Sequence, residues 1–517
     1  MKIADAGAKL SRFGAAVVLV MMGIFSLILT VDAYLQTAYV STANAAGELS
    51  ELYQDNIFLN FLLLVMLLSS LFLVYRHSSG MKLYRAELLL MVWVAVFGIA
   101  FIISTKLSAP WYTDSFIVTN AAQKAAVGDY SVFDNYFRRF PFQLGFVLYQ
   151  ELCFRAMQLV LPQLPQGYYC LALQVLNLVW LMLGYHALIS LTGYLFQSKR
   201  VQKLMVIMLF ACLPPIISCT FLYGNIPAFS LGLLGLWMFA AFIRKGRLYQ
   251  GLLCALFLGL AVALKLNLLI FFVAVAIVWV LLLLRSWNLK SFVCLAVTAV
   301  SVFSLGHCAQ PIYERRAGIR LGDGIPMLAW MAMGMDQGYA GPGWYSEEHT
   351  VKAFASTGMD PQATAELAKD SIAESLKAFS QDPGSAAGFF GRKLLTQWNE
   401  PSYESLWINQ VNGSYGEKGP LWDLICGSGA KRSIALMDQF QQIVFLGLSL
   451  SCIYMWRRKE LFHCLPLIII LGGILYHLLF EAKSQYALPY FVLMLPMAAN
   501  GFTRMFSNIE CIRFKEK

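Results

Sequence analysis

The sequence predicts an α-helical polytopic membrane protein, and three observations carry the prediction. Of its 517 residues only 13% are charged, against roughly 25% in soluble globular chains. The mean hydropathy is +0.62. The apolar residues are gathered into a dozen runs, each close to the roughly 20 residues that cross a bilayer. The net charge is +10, but the basic residues sit at the ends of these runs. That is the topology signal of a membrane protein and leaves no basic patch for nucleic acid.

The runs are, in order, 13–31, 57–75, 86–104, 168–193, 204–222, 227–243, 248–264, 266–284, 291–307, 438–456, 464–480 and 487–506. The first follows a basic start and competes with a cleaved signal peptide. It is long for one, and residues 32–39 offer no cleavage site, so it is read as a span. A thirteenth stretch, 144–163, is interrupted by Glu151 and Arg155, which fall at i, i+4 on one helix face. The short loops 76–85, 199–203, 244–247, 285–290 and 457–459 are basic, as are both termini, whereas 32–56 carries only acidic charge. All of these assignments agree when the basic loops face the cytoplasm and 144–163 lies in the outer interface. The expected topology is therefore twelve spans with both termini cytoplasmic.

This divides the chain into a two-span N-terminal addition (1–85), a membrane core (86–307) with a first outer loop at 105–163, an extracytoplasmic domain (308–437), and C-terminal spans with a cytoplasmic tail (438–517). Asp360-Pro361 and Asp382-Pro383 are helix-start signals within the outer domain. The Gly-, Pro- and aromatic-rich 321–345 reads as ordered loop. The eleven cysteines mostly fall inside apolar runs, where Cys acts as a small hydrophobe. Asn412-Gly413-Ser414 matches a glycosylation sequon on the outer side.

The polar residues that break this pattern are the candidates for chemistry. Asp114, shortly after the span 86–104, suits a general base on a hydroxyl; "TDSF" is equally good helix-capping chemistry. Asp129 and Asp134 read as turn or cap residues. Arg138 and Arg139 in "YFRRFPFQ" are either solvated lipid-headgroup contacts or a phosphate clamp. Lys265 and Asn267 interrupt "AVALKLNLLIFF" where two spans adjoin at the outer face, as a snorkelling turn or a phosphate contact. Glu481, Lys483, Gln485 and Tyr486 in "LFEAKSQYALPYF" are either a plain polar turn or part of a site. No HExxH, paired CxxC, P-loop or GxGxxG is present.

An outward Asp after a span, the aromatic, Pro-containing start "YFRRFPFQLGFVLY", "ALKLN", a late outer domain and a near-terminal "E…QYALPY" together resemble the GT-C superfamily of integral-membrane glycosyltransferases, over about 86–506. The similarity is greatest to the dolichyl-phosphate-mannose–protein mannosyltransferase-like group and its bacterial relatives. Gln485-Tyr486 stands where that group often has Arg-Tyr, with Lys483 the nearest cation. The resemblance implies a GT-C-like fold and transfer of a sugar from a polyprenyl-phosphate donor to an extracytoplasmic hydroxyl with inversion. Asp114 would be the catalytic residue. Arg138, Arg139, Lys265 and Lys483 would hold the donor phosphate, and Gln143, Asn267, Glu481 and Tyr486 would contact substrate. The acceptor would be a glycan, teichoic acid or protein, with membrane lipid as the surrounding partner. No cofactor is implied; a divalent cation is compatible with the chemistry but not indicated. The alternatives are a polymerase or ligase of lipid-linked glycans, and a lipid or sugar flippase. A flippase would concentrate polar residues at the bilayer midplane rather than on one face.

Overall fold

The computed structural model describes residues 2–41, 48–106, 113–162, 166–413 and 417–515. The chain is a helical polytopic membrane protein. Among the described residues nine helices are long and apolar enough to cross a membrane, from Ala4–Leu35 to Leu461–Leu479. A tenth is a pair, Lys199–Ala211 and Pro214–Thr220, bent by 54°. Pro214 and Pro215 explain the bend, because neither can donate the backbone hydrogen bond that would continue the ladder. The run 248–264 forms a shorter apolar helix, Leu248–Leu264, and the last run lies in Leu488–Lys515, which carries Pro496. All twelve apolar runs are thus helical, one of them broken.

The carbonyls that end the second half are satisfied by polar side chains from the neighbouring helix Gln166–Phe196. Asn177 Nδ2 donates to the Cys219 carbonyl at 3.0 Å and Gln174 Nε2 to that of Thr220 at 3.1 Å. In an apolar medium such carbonyls would otherwise be costly. The bend delivers residues 221–224 to the head of the bundle.

The segment after the first three spans forms the helix Thr113–Ala126, a connection holding the short helix Asn135–Arg139 and the turn Pro141–Gln143, and the helix Leu144–Val160. Gly145 lets the latter pack on the end of Leu248–Leu264: a Cβ there would lie 1.8 Å from the Ala263 carbonyl oxygen. Glu151, 1% exposed, receives Arg155 Nε at 2.8 Å, Arg316 Nη1 at 3.1 Å and the Tyr313 hydroxyl at 2.6 Å. The expected Glu151–Arg155 pair is therefore one edge of a cluster. It fastens this helix to Ala309–Ala317, where the outer domain begins.

In the outer domain, Asp360 and Asp382 cap Pro361–Gln381 and Pro383–Trp398, their carboxylates accepting from Gln362 N at 2.8 Å and Ser385 N at 2.9 Å. Within 321–345, expected as loop throughout, Met327–Gly334 is a helix. Its run of Met, Leu, Ala and Trp buries Ala329 and Ala332 against Phe354 and Ile372; this packing outweighs the surrounding glycines. Cys308 and Cys426 are both free thiols. Ser414 of the sequon lies outside the described residues.

Residues 36–54, read only as an acidic outer loop, contain an antiparallel hairpin. Gln36–Ser41 pairs with Leu49–Gln54 in a register running from Gln36↔Gln54 to Ser41↔Leu49. Ala38 N bonds the Asn399 carbonyl at 3.1 Å, seating the hairpin on the end of Pro383–Trp398.

Candidate active site

A cavity of about 2340 Å³ opens where the heads of the helices meet the outer domain. Of the nine residues singled out from the sequence, Asp114, Arg139, Gln143, Lys265, Asn267, Glu481, Lys483 and Tyr486 line it. Arg138 does not; its guanidinium pairs with Asp134.

Asp114 lies in the first turn of Thr113–Ala126, one residue inside the helix rather than at its cap. A carboxylate is favoured there by the helix dipole. Ser115 Oγ donates to the Leu222 carbonyl at 2.9 Å, locking this helix to the loop that follows the broken span. Gly224, at φ +82°, makes a turn that only glycine adopts without strain, and Tyr223 points back at Asp114. The Tyr223 hydroxyl donates to Asp114 Oδ2 at 3.1 Å and accepts from Gln143 Nε2 at 2.5 Å. Tyr136 faces the same carboxylate; burial, then the Asp114 charge, raises its hydroxyl's pKa. The same causes hold Tyr223 as a neutral phenol. Asp114 thus has donors aimed at it and keeps one side open to the cavity.

Lys265 occupies the extended residue between Leu248–Leu264 and the next helix, at φ −152°. Its ammonium sits 3.8 Å from the centre of the Tyr223 ring and 5.7 Å from that of Tyr486. It makes no hydrogen bond or ion pair among the described residues. Protein surrounds its stem while the cavity admits water to its tip. Burial pushes its pKa down to about 7, with Asp114 and Glu481 pulling the other way.

Across the cavity, Tyr486 OH donates to Glu481 Oε2 at 3.3 Å, and the Glu481 carbonyl bonds His477 Nδ1 at 2.8 Å. Burial raises the Glu481 carboxyl to about 7, opposed by Lys483. Lys483 Nζ is 2.5 Å from Glu48 Oε1, so this cation is already paired, by a residue of the N-terminal hairpin. Gln485 accepts from Asn225 Nδ2 at 3.2 Å. Arg139 donates to Asn135 Oδ1 at 2.9 Å.

Two further carboxylates, Asp323 and Glu481, line the cavity; Glu151 does not. Tyr223, Tyr136, Tyr345 and Glu48 line it without having been singled out. For Tyr223 a signal existed: "FLYGN" interrupts an apolar stretch at the outer end of a span, just as "ALKLN" does. For Glu48 there was none, because its partner is 435 residues away. Among the described residues no three His, Cys, Asp or Glu side chains converge to hold a metal ion.

No family model matches the chain, and no curated protein matches it. Among solved structures it is similar to the archaeal oligosaccharyltransferase AglB from Archaeoglobus fulgidus, solved with an inhibitory peptide and a dolichol-phosphate. The identity is 13% and the TM-score 0.43, over 82% of this chain and 51% of that one. The chain thus spans about half the length of the structure it matches.

Proposed function

We propose that the protein is a membrane glycosyltransferase of the GT-C type, moving a sugar from a polyprenyl-phosphate donor to an acceptor hydroxyl with inversion. One observation carries the reading: residues from five remote segments, at 114, 143, 223, 265 and 481–486, converge on one cavity at the heads of the helices. Asp114, held by Tyr223, takes the proton of the acceptor hydroxyl. The hydroxyl oxygen bonds to C1 of the sugar from one face while the C1–O bond to phosphate breaks on the other. The polyprenyl phosphate leaves as an anion, and Lys265 and Arg139 are the cations placed to receive it. Charge stabilisation of this kind is normally the largest contribution to the rate.

In this reading the cavity faces the extracytoplasmic side, and the distribution of charge supports it. Helix Asn225–Lys245 begins beside Tyr223 and ends at Arg244 and Lys245, and Leu248–Leu264 runs from Arg247 to Lys265. The basic ends thus lie opposite the cavity, as expected for cytoplasmic loops. The termini are then cytoplasmic.

The test is release of polyprenyl phosphate from a panel of polyprenyl-phosphate sugars by the purified protein in detergent. Wild type should release it with one donor. Asp114→Asn should fall by at least about 10²-fold, the scale of a lost general base, with unchanged melting. Equal release by the two proteins would refute the assignment of Asp114.

A further inference from the structure

We propose that a strip of aromatic rings leading from Asp114 to the outer domain seats the acceptor, and that the acceptor is an uncharged glycan chain. This rests on Asp114 being the base of the reaction above. Tyr136, whose hydroxyl faces Asp114, begins the strip. Its ring centre is 4.9 Å from that of Phe140, which lies 6.1 Å from Trp330; Trp330 is 6.3 Å from Phe142. All four rings line the cavity. Phe142 is 43% exposed, a surface that costs free energy to leave in water unless something covers it.

The strip is held rigidly. Ile325 N donates to the Arg139 carbonyl at 3.1 Å. Gly324, at φ +73°, lies so close that a Cβ would sit 2.4 Å from Pro141 Cδ. The outer-domain loop is therefore pinned to the Phe140–Phe142 segment, and Trp330 is fixed beside both phenylalanines. Preorganised rings lose little entropy on binding.

The chemistry of such a surface is selective. A pyranose ring presents an apolar face of C–H groups that stacks on an aromatic ring, with hydroxyls around its edge. Successive rings are inclined to one another by 51° at the first two contacts and 75° at the third, so the strip offers both faces and edges to a chain laid along it. Asp323 and Glu347 line the same cavity and have no ion-pair partner among the described residues, so they are free to accept from hydroxyls. The cations on this wall are Lys352, paired with Glu348, and Arg139, the phosphate-facing cation of the reaction above, at the Asp114 end of the strip. Away from Arg139 the wall carries Asp323, Glu347 and Glu348, so along the strip a neutral, hydroxyl-rich chain is favoured over a phosphate polymer. A chain laid along the strip would end at Tyr136, beside Asp114.

Binding tests this without turnover. Chitotriose, maltotriose and cellotriose, with a glycerol-phosphate oligomer as the anionic comparison, are titrated into the full chain in detergent by calorimetry. At least one trisaccharide should bind and the phosphate oligomer should not. Trp330→Ala and the surface change Phe142→Ala should each weaken that binding about tenfold, and Trp330→Phe less. Binding of no trisaccharide, preference for the phosphate oligomer, or equal affinity in Phe142→Ala would overturn the proposal. So would a loss confined to binding of undecaprenyl phosphate, which would make the strip a seat for the lipid tail. Donor cleavage by wild type with trisaccharide binding unaffected by the ring variants would refute the strip and leave the transferase standing. Ring-dependent trisaccharide binding without donor cleavage would do the reverse.

Discussion

Replacing Lys265 with Met should make the protein more stable and almost inactive, with both effects depending on pH. The ammonium lies over two tyrosine rings at the edge of the cavity, without an ion pair among the described residues. Its fall from the ordinary 10.5 to about 7 corresponds to roughly 5 kcal/mol at about 1.36 kcal/mol per pH unit. Water entering the cavity screens part of this, and about 2 kcal/mol is the realistic cost. The sign follows from proton linkage. Below pH 7 the lysine is charged in both states and folding bears the full penalty. Between about 7 and 10.5 the folded protein gives up the proton and the unfolded chain keeps it, so the penalty drains away. Lys265→Met should therefore melt a few degrees above wild type at pH 6, with the gap more than halved at pH 9.5. Turnover should fall by about 10²–10³, the scale of a lost charge-stabilising group. The wild-type kcat/KM should decline above about pH 7, and Lys265→Arg, which keeps its charge, should shift that limb upward. Donor release and thermal melting across pH measure all of this. A Met variant that melts below wild type at pH 6, or that turns over normally, would refute the reasoning.

Glu481 gives the mirror case. Its carboxyl is raised to about 7, so the folded state is penalised fully above pH 7 and not below about pH 4; Glu481→Gln should stabilise at pH 8 and be neutral at pH 4, read by melting. Glu151→Gln should cost about 2 kcal/mol. That is less than the 3–5 of a fully buried pair, because Arg155 and Arg316 keep 43% and 39% of their side-chain surface exposed; denaturant titration would show it. Gly145→Ala should cost about 1–3 kcal/mol through overpacking against Ala263 and should lower turnover, since it pries Leu144–Val160 away from the helix that ends at Lys265; melting and donor release check it together.

The membrane helices were legible because hydropathy alone writes them, and the two outer helices because an Asp-Pro pair marks each start. Most of the cavity wall was legible for a related reason. A polar residue at the end of an apolar run costs too much to be idle, and Asp114, Lys265 and Glu481 each stand at such a place. What was illegible depends on tertiary contact. The helix at Met327–Gly334 is held by packing against Phe354 and Ile372, which no local pattern announces. The hairpin at 36–54 has few strand-forming residues on its second strand, "LSELYQ", and gains its place from the Asn399 carbonyl. The pairing of Lys483, expected to be free for phosphate, was hidden for the same reason.

That pairing changes the role of the first 85 residues. Read along the chain they are two spans placed before a complete core. In space Lys2–Leu35 packs against Ala430–Met455 and Leu269–Arg285, and the hairpin that follows sends Glu48 to the cavity wall beside Lys483. A lysine so neutralised is a weak partner for phosphate, which leaves Lys265 and Arg139 to meet a departing anion. The same ion pair holds the turn from Glu481 to Tyr486 from above, while Ser484 Oγ, bonded to Glu400 Oε2 at 2.9 Å and Glu404 Oε1 at 3.2 Å, holds it from below. The N-terminal segment is therefore a brace for the most crowded wall of the cavity, and its removal would free Lys483 and loosen the turn that carries Glu481 and Tyr486.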